Sequence, residues 1–315
     1  RNPLYWNDKE TVINSATFLA IENPSTDVAR YRAGDLDMTS YALPPEQFAK
    51  LQKELPGEVF TTRTLATYSY ELNNKKAPFD NVNVRKALNL SLDRNVITDK
   101  VLGQGQTPTY VFTPTYIEEG QLIQQPAYSK EPMAQRNEEA IKLLEEAGYS
   151  KANPLKFSIL YNTNENHKKV AIAAASMWKA NTKGLIDVKL ENQEWKTYID
   201  SRRAGRYDAA RAGWNADYNQ ATTFGNYFLS NSSNNTAKYA NPEYDKAIAE
   251  SYVATDAEGR AKAYAKAEEI LAKDFGIVPI FNYVNPRLVK PYVKGYSGKD
   301  PQDHIYLRNL YIIKH

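Results

Sequence analysis

The order strand, helix, strand between residues 154 and 190 constrains the fold more than any other feature of the chain. Residues 154–161 (PLKFSILY) alternate as a half-buried strand does. Residues 168–181 carry Ile172, Ala175, Met177 and Trp178 in a helical pattern, and residues 187–190 alternate again. A parallel strand pair needs a crossover connection, normally a helix, to bring the chain back to its starting edge. The expectation is an α/β fold containing a βαβ unit.

Other segments fill in the organisation. Residues 11–21 read as a strand, and 27–33 as a short helix stopped by Gly34, after which Leu36 and Met38 start another strand. A helix is expected at 45–55, and the aromatic strand TYSYEL at 67–72 before a turn at 73–76. Asp80 or Asn81 can cap a helix with Val84, Ala87, Leu88, Leu92 and Val96 on its apolar face, continuing through Val101 until Gly103 and Gly105. Residues 137–147 form a helix stopped by Gly148, with Ala140, Leu143, Leu144 and Ala147 inward. Residues 207–213 read as a strand that leaves Arg211 near its end. A Ser/Asn loop at 230–236, helices at 242–253 and 259–273, and a buried strand at 277–283 complete the pattern.

Composition excludes several classes of function. The net charge of +3 arises from 40 basic and 37 acidic residues that are interleaved, so nothing suggests a nucleic-acid partner. No apolar run approaches the length of a membrane span. Cysteine is absent, which removes disulfides and thiolate chemistry. The three histidines, His167, His304 and His315, are scattered, so no metal site and no cofactor are expected. There is no GxSxG, HExxH or Walker A phrase.

The densest chemistry lies in residues 192–220, NQEWKTYIDSRRAGRYDAARAGWNADYNQ. Flat aromatics, Trp195 and Trp214, stand beside an isolated Arg211 and an isolated Asp217. Aromatic walls with one cation and one anion suit an extended zwitterionic ligand, whose carboxylate and ammonium would receive charge-assisted hydrogen bonds. Each residue also has a plainer reading. The two Trp residues could be core aromatics, Arg211 half of a structural ion pair, and Asp217 a turn cap. Glu71 could be an exposed strand residue, His167 a helix-start residue, and Arg202 part of a solvated helix face.

Phrases along the whole chain resemble the oligopeptide-binding proteins, solute receptors of bacterial peptide ABC transporters, and are also similar to murein-peptide-binding proteins. They include RNPLYW at residues 1–6, YRAGDLD at 31–37, FD followed by VRKAL and DR at 79–94, the N-x-x-x-x-H-K-K phrase at 162–169, and RAGWNADY at 211–218. The resemblance implies a type II periplasmic-binding-protein-like α/β fold, with two lobes, mixed sheets and a hinge. It assigns residues 1–65 to part of a first lobe, 66–284 to a second, peptide-binding lobe, and 285–315 to a return to the first. Because RNPxYW lies well inside mature family members, an N-terminal portion is expected to be missing.

The same resemblance gives Asp217 to a peptide ammonium, Arg211 to a peptide carboxylate, and His167 to longer or shifted ligands. It places Trp195, Trp214, Arg202 and the strand around Glu71 on side-chain pockets, and Tyr283 near the return strand. Asn215 stands where some members carry Cys, and Leu102 where some use a Lys for the carboxylate. The implied protein is a monomeric periplasmic receptor that binds short peptides without reaction and delivers them to a membrane ABC permease. A murein tripeptide receptor is the alternative, and a peptidase or glycan-active enzyme a third.

Overall fold

The computed structural model describes residues 2–21 and 23–314; Arg1, which opens the RNPLYW phrase, and His315 lie outside them. The chain divides into two compact units. One comprises the residues through Thr64, Leu102–Gln106 and those from Val284 on; the other comprises Leu65–Val101 and Thr107–Tyr283.

In the first unit, α1 (Pro24–Ala33) begins where the Asn23 side chain accepts from the backbone N–H groups of Ser25 and Thr26. It ends at Gly34, whose φ of 87° suits a residue without Cβ. Helix α2 (Pro45–Glu54) packs Phe48 and Leu51 on Val28, Tyr31, Leu43 and Leu288 to form this unit's core. Residues 11–21 are irregular and mostly exposed, contrary to the strand expected there. Alternation makes a segment compatible with a sheet, but cross-strand partners hold a strand, and the described residues offer it none. Leu36 and Met38 likewise start no strand; a single bridge joins Met38 to Val289.

The second unit is built on a mixed sheet of order β2-β6-β1-β5-β3-β4. Its members are β1 (Val59–Leu72), β2 (Thr107–Pro108), β3 (Leu155–Asn162), β4 (Ile186–Gln193), β5 (Ala209–Asn215) and β6 (Ile277–Leu288). The unit boundary falls within β1 and β6. Strands β3 and β4 are parallel, from Leu155 opposite Ile186 to Asn162 opposite Gln193. They are joined by α5 (Glu165–Asn181), as the strand-helix-strand order demands. Strand β5 runs parallel to β3 and antiparallel to β1, from Ala66 opposite Asn215 to Leu72 opposite Ala209.

Helices cover the sheet. The inward residues of α5 are Val170, Ala171, Ala174 and Trp178, whereas Ile172 is exposed. The Trp178 indole donates to the Leu88 carbonyl at 2.9 Å and ties α5 to α3 (Val82–Leu90). Helix α3 is capped by Asn81 but stops at Leu90, and a π-helical turn follows at Val96–Leu102. The single helix expected through Val101 is therefore broken, leaving Leu92 buried and Val96 exposed. Arg94 occupies the break, wholly buried, and its guanidinium donates to the carbonyls of Asn89, Leu92, Thr109 and Pro279. A continuous helix would engage the Asn89 and Leu92 carbonyls in its own hydrogen-bond ladder.

Helix α4 (Met133–Glu146) buries Ala140 and Leu144, with Leu143 and Ala147 only half-buried. Helices α6 (Trp195–Arg203), α7 (Thr222–Gly225), α8 (Pro242–Val253) and α9 (Ala257–Lys273) follow. One core cluster of this unit is rich in aromatics: Phe112, Phe224, Tyr227, Phe228, Tyr239, Tyr244 and Tyr264, with Trp214 packed against it. In the first unit, β7 (Val293–Lys294) and β8 (Tyr311–Ile312) form an antiparallel pair.

Candidate ligand-binding site

The register of β1 on β5 decides which side chains can meet. Tyr70 lies opposite Arg211, and Tyr68 opposite Gly213; one position over, Thr67 lies opposite Trp214 and Glu71 opposite Ala210. Successive strand residues point to opposite faces, so Arg211, Tyr68 and Tyr70 share one face, and Glu71 and Trp214 share the other. The sequence brought Arg211 and Trp214 together, three residues apart; the pleat puts them on opposite sides of the sheet.

On the first face, Arg211 Nη2 donates to the Tyr283 hydroxyl, and Nη1 reaches Asn162 Oδ1 at 3.5 Å. The guanidinium carbon lies 5.1 Å from the centre of the Tyr68 ring, a cation–π distance. The Tyr198 hydroxyl donates to the Arg211 carbonyl and fixes the backbone. Arg211 Nε is buried and without a partner, and no acidic side chain among the described residues forms an ion pair with Arg211.

Neighbouring groups supply no negative charge. Burial pushes the Tyr68 and Tyr70 hydroxyls well above their ordinary range, so both remain neutral. The His167 ring centre lies 5.6 Å from that of Tyr68. Burial, and then the Arg211 charge, hold the imidazole well below the usual histidine range, so it too is neutral near pH 7. His167 is placed by the first turn of α5, where its N–H donates to the Asn164 cap at 3.1 Å. The result is a fixed guanidinium on an aromatic floor, hydrogen-bonded only to neutral groups. Buried charges ordinarily have a counter-ion.

On the second face, burial overturns the plainer readings of Glu71 and Arg202 as exposed residues. Glu71 is 0% exposed and accepts from Arg202 Nη2 at 2.9 Å, from the Tyr227 hydroxyl at 2.6 Å, and from the Thr236 hydroxyl. Glu71 and Arg202 therefore form a buried ion pair, which the Tyr227 and Thr236 hydroxyls join.

Trp214 packs edge-on to Tyr227, with ring centres 4.9 Å apart. Its Nε1 donates to the Thr223 hydroxyl oxygen at 3.1 Å. That oxygen also accepts the Asp217 N–H at 3.2 Å, and its hydroxyl donates to Asp217 Oδ2 at 3.1 Å. Thr223, absent from the sequence-derived set, thus orients the Asp217 carboxylate. Asp217 is exposed beyond the end of β5 and pairs with no Lys or Arg among the described residues. Asn215, the last residue of β5, is exposed. Trp195 opens α6, 55% exposed, stacked at 5.9 Å on Tyr198. Tyr68, Tyr70, Tyr198 and Gly213 were also missed. The alternation of TYSYEL shows that Tyr68 and Tyr70 share a face, but only the register with β5 shows that Arg211 joins them.

Residues 1–236 match the family described as bacterial extracellular solute-binding proteins, family 5 Middle. The chain is 96% identical over 315 residues to the periplasmic oligopeptide-binding protein OppA of Haemophilus influenzae, covering 100% of this chain and 58% of that one. It is 54% identical to OppA of Salmonella typhimurium, again over 100% of this chain and 58% of that one. Among solved structures, it matches H. influenzae OppA in complex with RPPGFSPFR with a TM-score of 0.96 and 96% identity, over 100% of this chain and 61% of that chain. The Escherichia coli murein tripeptide binding protein MppA matches with a TM-score of 0.92 and 43% identity, over 99% and 60%. The chain spans 58% of the length of these curated relatives, and its fold is that of the periplasmic binding proteins.

Proposed function

This chain belongs to the family 5 bacterial extracellular solute-binding proteins, and we propose that, in the full-length protein, it supplies the peptide-binding surface of a periplasmic receptor that delivers oligopeptides to an ABC permease. The observation that carries the reading is the guanidinium of Arg211, built into place with a buried Nε and no acidic partner. Its missing counter-ion is a peptide carboxylate. Asp217, oriented by Thr223 and without a cationic partner among the described residues, takes the peptide ammonium. Trp195, Trp214, Asn215 and Tyr283 border these two points, and His167 takes the carboxylates of ligands that end further along.

The protein binds and releases without covalent chemistry, consistent with a family of solute-binding proteins. An extended peptide presents its backbone to strands, and its side chains meet wet, roomy surroundings, so selectivity for side chains is low. The 96% identity to an oligopeptide-binding protein, against 43% to a murein-peptide-binding one, favours ordinary peptides over murein fragments. The nine-residue ligand of the first relative argues that length is tolerated when the carboxylate lies elsewhere.

Mass spectrometry of ligand released by denaturing the purified full-length protein tests this directly. A mixture of ordinary peptides is expected, with no cleavage when they are re-incubated with fresh protein. Recovery of murein peptides alone, or peptide cleavage that His167→Ala abolishes, would overturn the reading.

A further inference from the structure

We propose that Gly213 determines peptide length at the carboxylate end, because the absence of its side chain gives the Arg211 guanidinium its resting place. The inference rests on the reading of Arg211 given above. A Cβ built on Gly213 would stand 3.1 Å from Arg211 Nη2, 3.1 Å from the Tyr283 hydroxyl and 3.6 Å from Arg211 Cζ. The guanidinium therefore lies along its own strand, over Gly213, in the volume that a side chain at 213 would fill. The Tyr68 ring, directly across the register, floors that volume, and the Tyr283 hydroxyl latches it.

No backbone requirement explains a glycine here. Gly213 lies inside β5 and is not among the glycines of positive φ. A glycine inside a strand weakens it, and its usual justification is close approach by another group. The group that approaches is Arg211. Leaning over Gly213 carries the charge towards Asp217, four residues on, a span of at most about 14 Å for extended chain. A separation of that order fits a peptide of three or four residues. It is far shorter than an extended nonapeptide of roughly 30 Å.

In the full-length protein, wild type, Gly213→Ala, Gly213→Val and Tyr283→Phe are titrated calorimetrically with free-acid and C-terminally amidated forms of one tripeptide, one tetrapeptide and one nonapeptide. Wild type is expected to prefer the free acid for the short ligands only. Gly213→Val displaces the guanidinium and reduces that preference by about tenfold or more, because ångström-scale misplacement of a charged partner is costly. Gly213→Ala reduces it less, and Tyr283→Phe, which removes the latch, moves it the same way. The acid-to-amide ratio of the nonapeptide does not change, since its carboxylate lies elsewhere, whereas a general structural defect would weaken both forms of every ligand alike.

The inference is overturned if Gly213→Val keeps the wild-type preference for free acid at each length. If Gly213→Val weakens the nonapeptide equally, Gly213→Ala decides. There the guanidinium need move only slightly, so an unchanged acid-to-amide ratio also overturns the inference. If wild type itself ignores amidation at every length, the reading of Arg211 falls, a result distinct from failure at Gly213.

Discussion

In the full-length protein, Arg211→Met is expected to leave stability within about 1 kcal/mol of wild type while weakening short free-acid peptides by about 2–5 kcal/mol. The two figures come from opposite sides of one comparison. On the stability side, the guanidinium gives up a hydrogen bond to the Tyr283 hydroxyl, a long one of 3.5 Å to Asn162, and a cation–π contact. These are worth roughly 2–4 kcal/mol together. Against that, removing a largely enclosed charge relieves a desolvation cost of several kcal/mol for which no anion compensates. The terms nearly cancel. On the binding side, the ligand carboxylate would be left desolvated without its partner.

Arg202→Met is the control, because Arg202 has its anion. Losing it strands Glu71 in the interior at a cost of about 3–5 kcal/mol, or roughly 6–20 °C in melting temperature for a unit of this size. Thermal unfolding of both variants without ligand, with calorimetry of a tripeptide on Arg211→Met, makes the comparison. If Arg211→Met destabilises the unliganded protein as much as Arg202→Met does, its charge is already compensated, and the argument for a waiting anion site is wrong.

Three further outcomes follow from the same geometry. Asp217→Asn is expected to cost peptides with a free N-terminus about 2–5 kcal/mol and to leave N-acetylated peptides nearly unaffected; equal losses for both would reduce Asp217 to a turn cap. Glu71→Gln keeps the shape but leaves Arg202 buried without an anion, so a fall of about 3–5 kcal/mol in unfolding free energy is expected, checked by urea titration. His167 is depressed in the folded state, so the unfolded chain binds the proton more readily. Its contribution to stability is complete above pH 6.5, the unperturbed value, and is lost as pH falls towards the depressed one. The melting temperature of His167→Gln should therefore fall less than that of wild type between pH 7 and 5, and parallel curves would contradict the burial of a neutral imidazole.

The fold was legible where the physics is local. Asn81 and Asn164 cap helices, Gly34 and Gly148 stop them, and the βαβ unit announces itself by the period of its apolar residues. The candidate site could be proposed from residue type, but its arrangement could not. Arg211, Asp217 and Trp214 stand within seven positions in the sequence, yet the pleat separates Arg211 from Trp214. Glu71 and Arg202 are 131 positions apart, and Arg211 and Tyr283 are 72 apart. Pairings of that range depend on strand order and register, which no local pattern encodes. The strand expected at 11–21 failed for the same reason: alternation is a property of the segment, whereas pairing needs a neighbour.

The central claim is that a ligand carboxylate completes Arg211. A double-mutant cycle tests it most directly: wild type and Arg211→Met in the full-length protein, each titrated with one tripeptide as free acid and as amide. The account predicts a coupling energy of about 1.5 kcal/mol or more between the Arg211 charge and the peptide carboxylate. A coupling indistinguishable from zero, with amidation equally costly or equally harmless in both proteins, would contradict it.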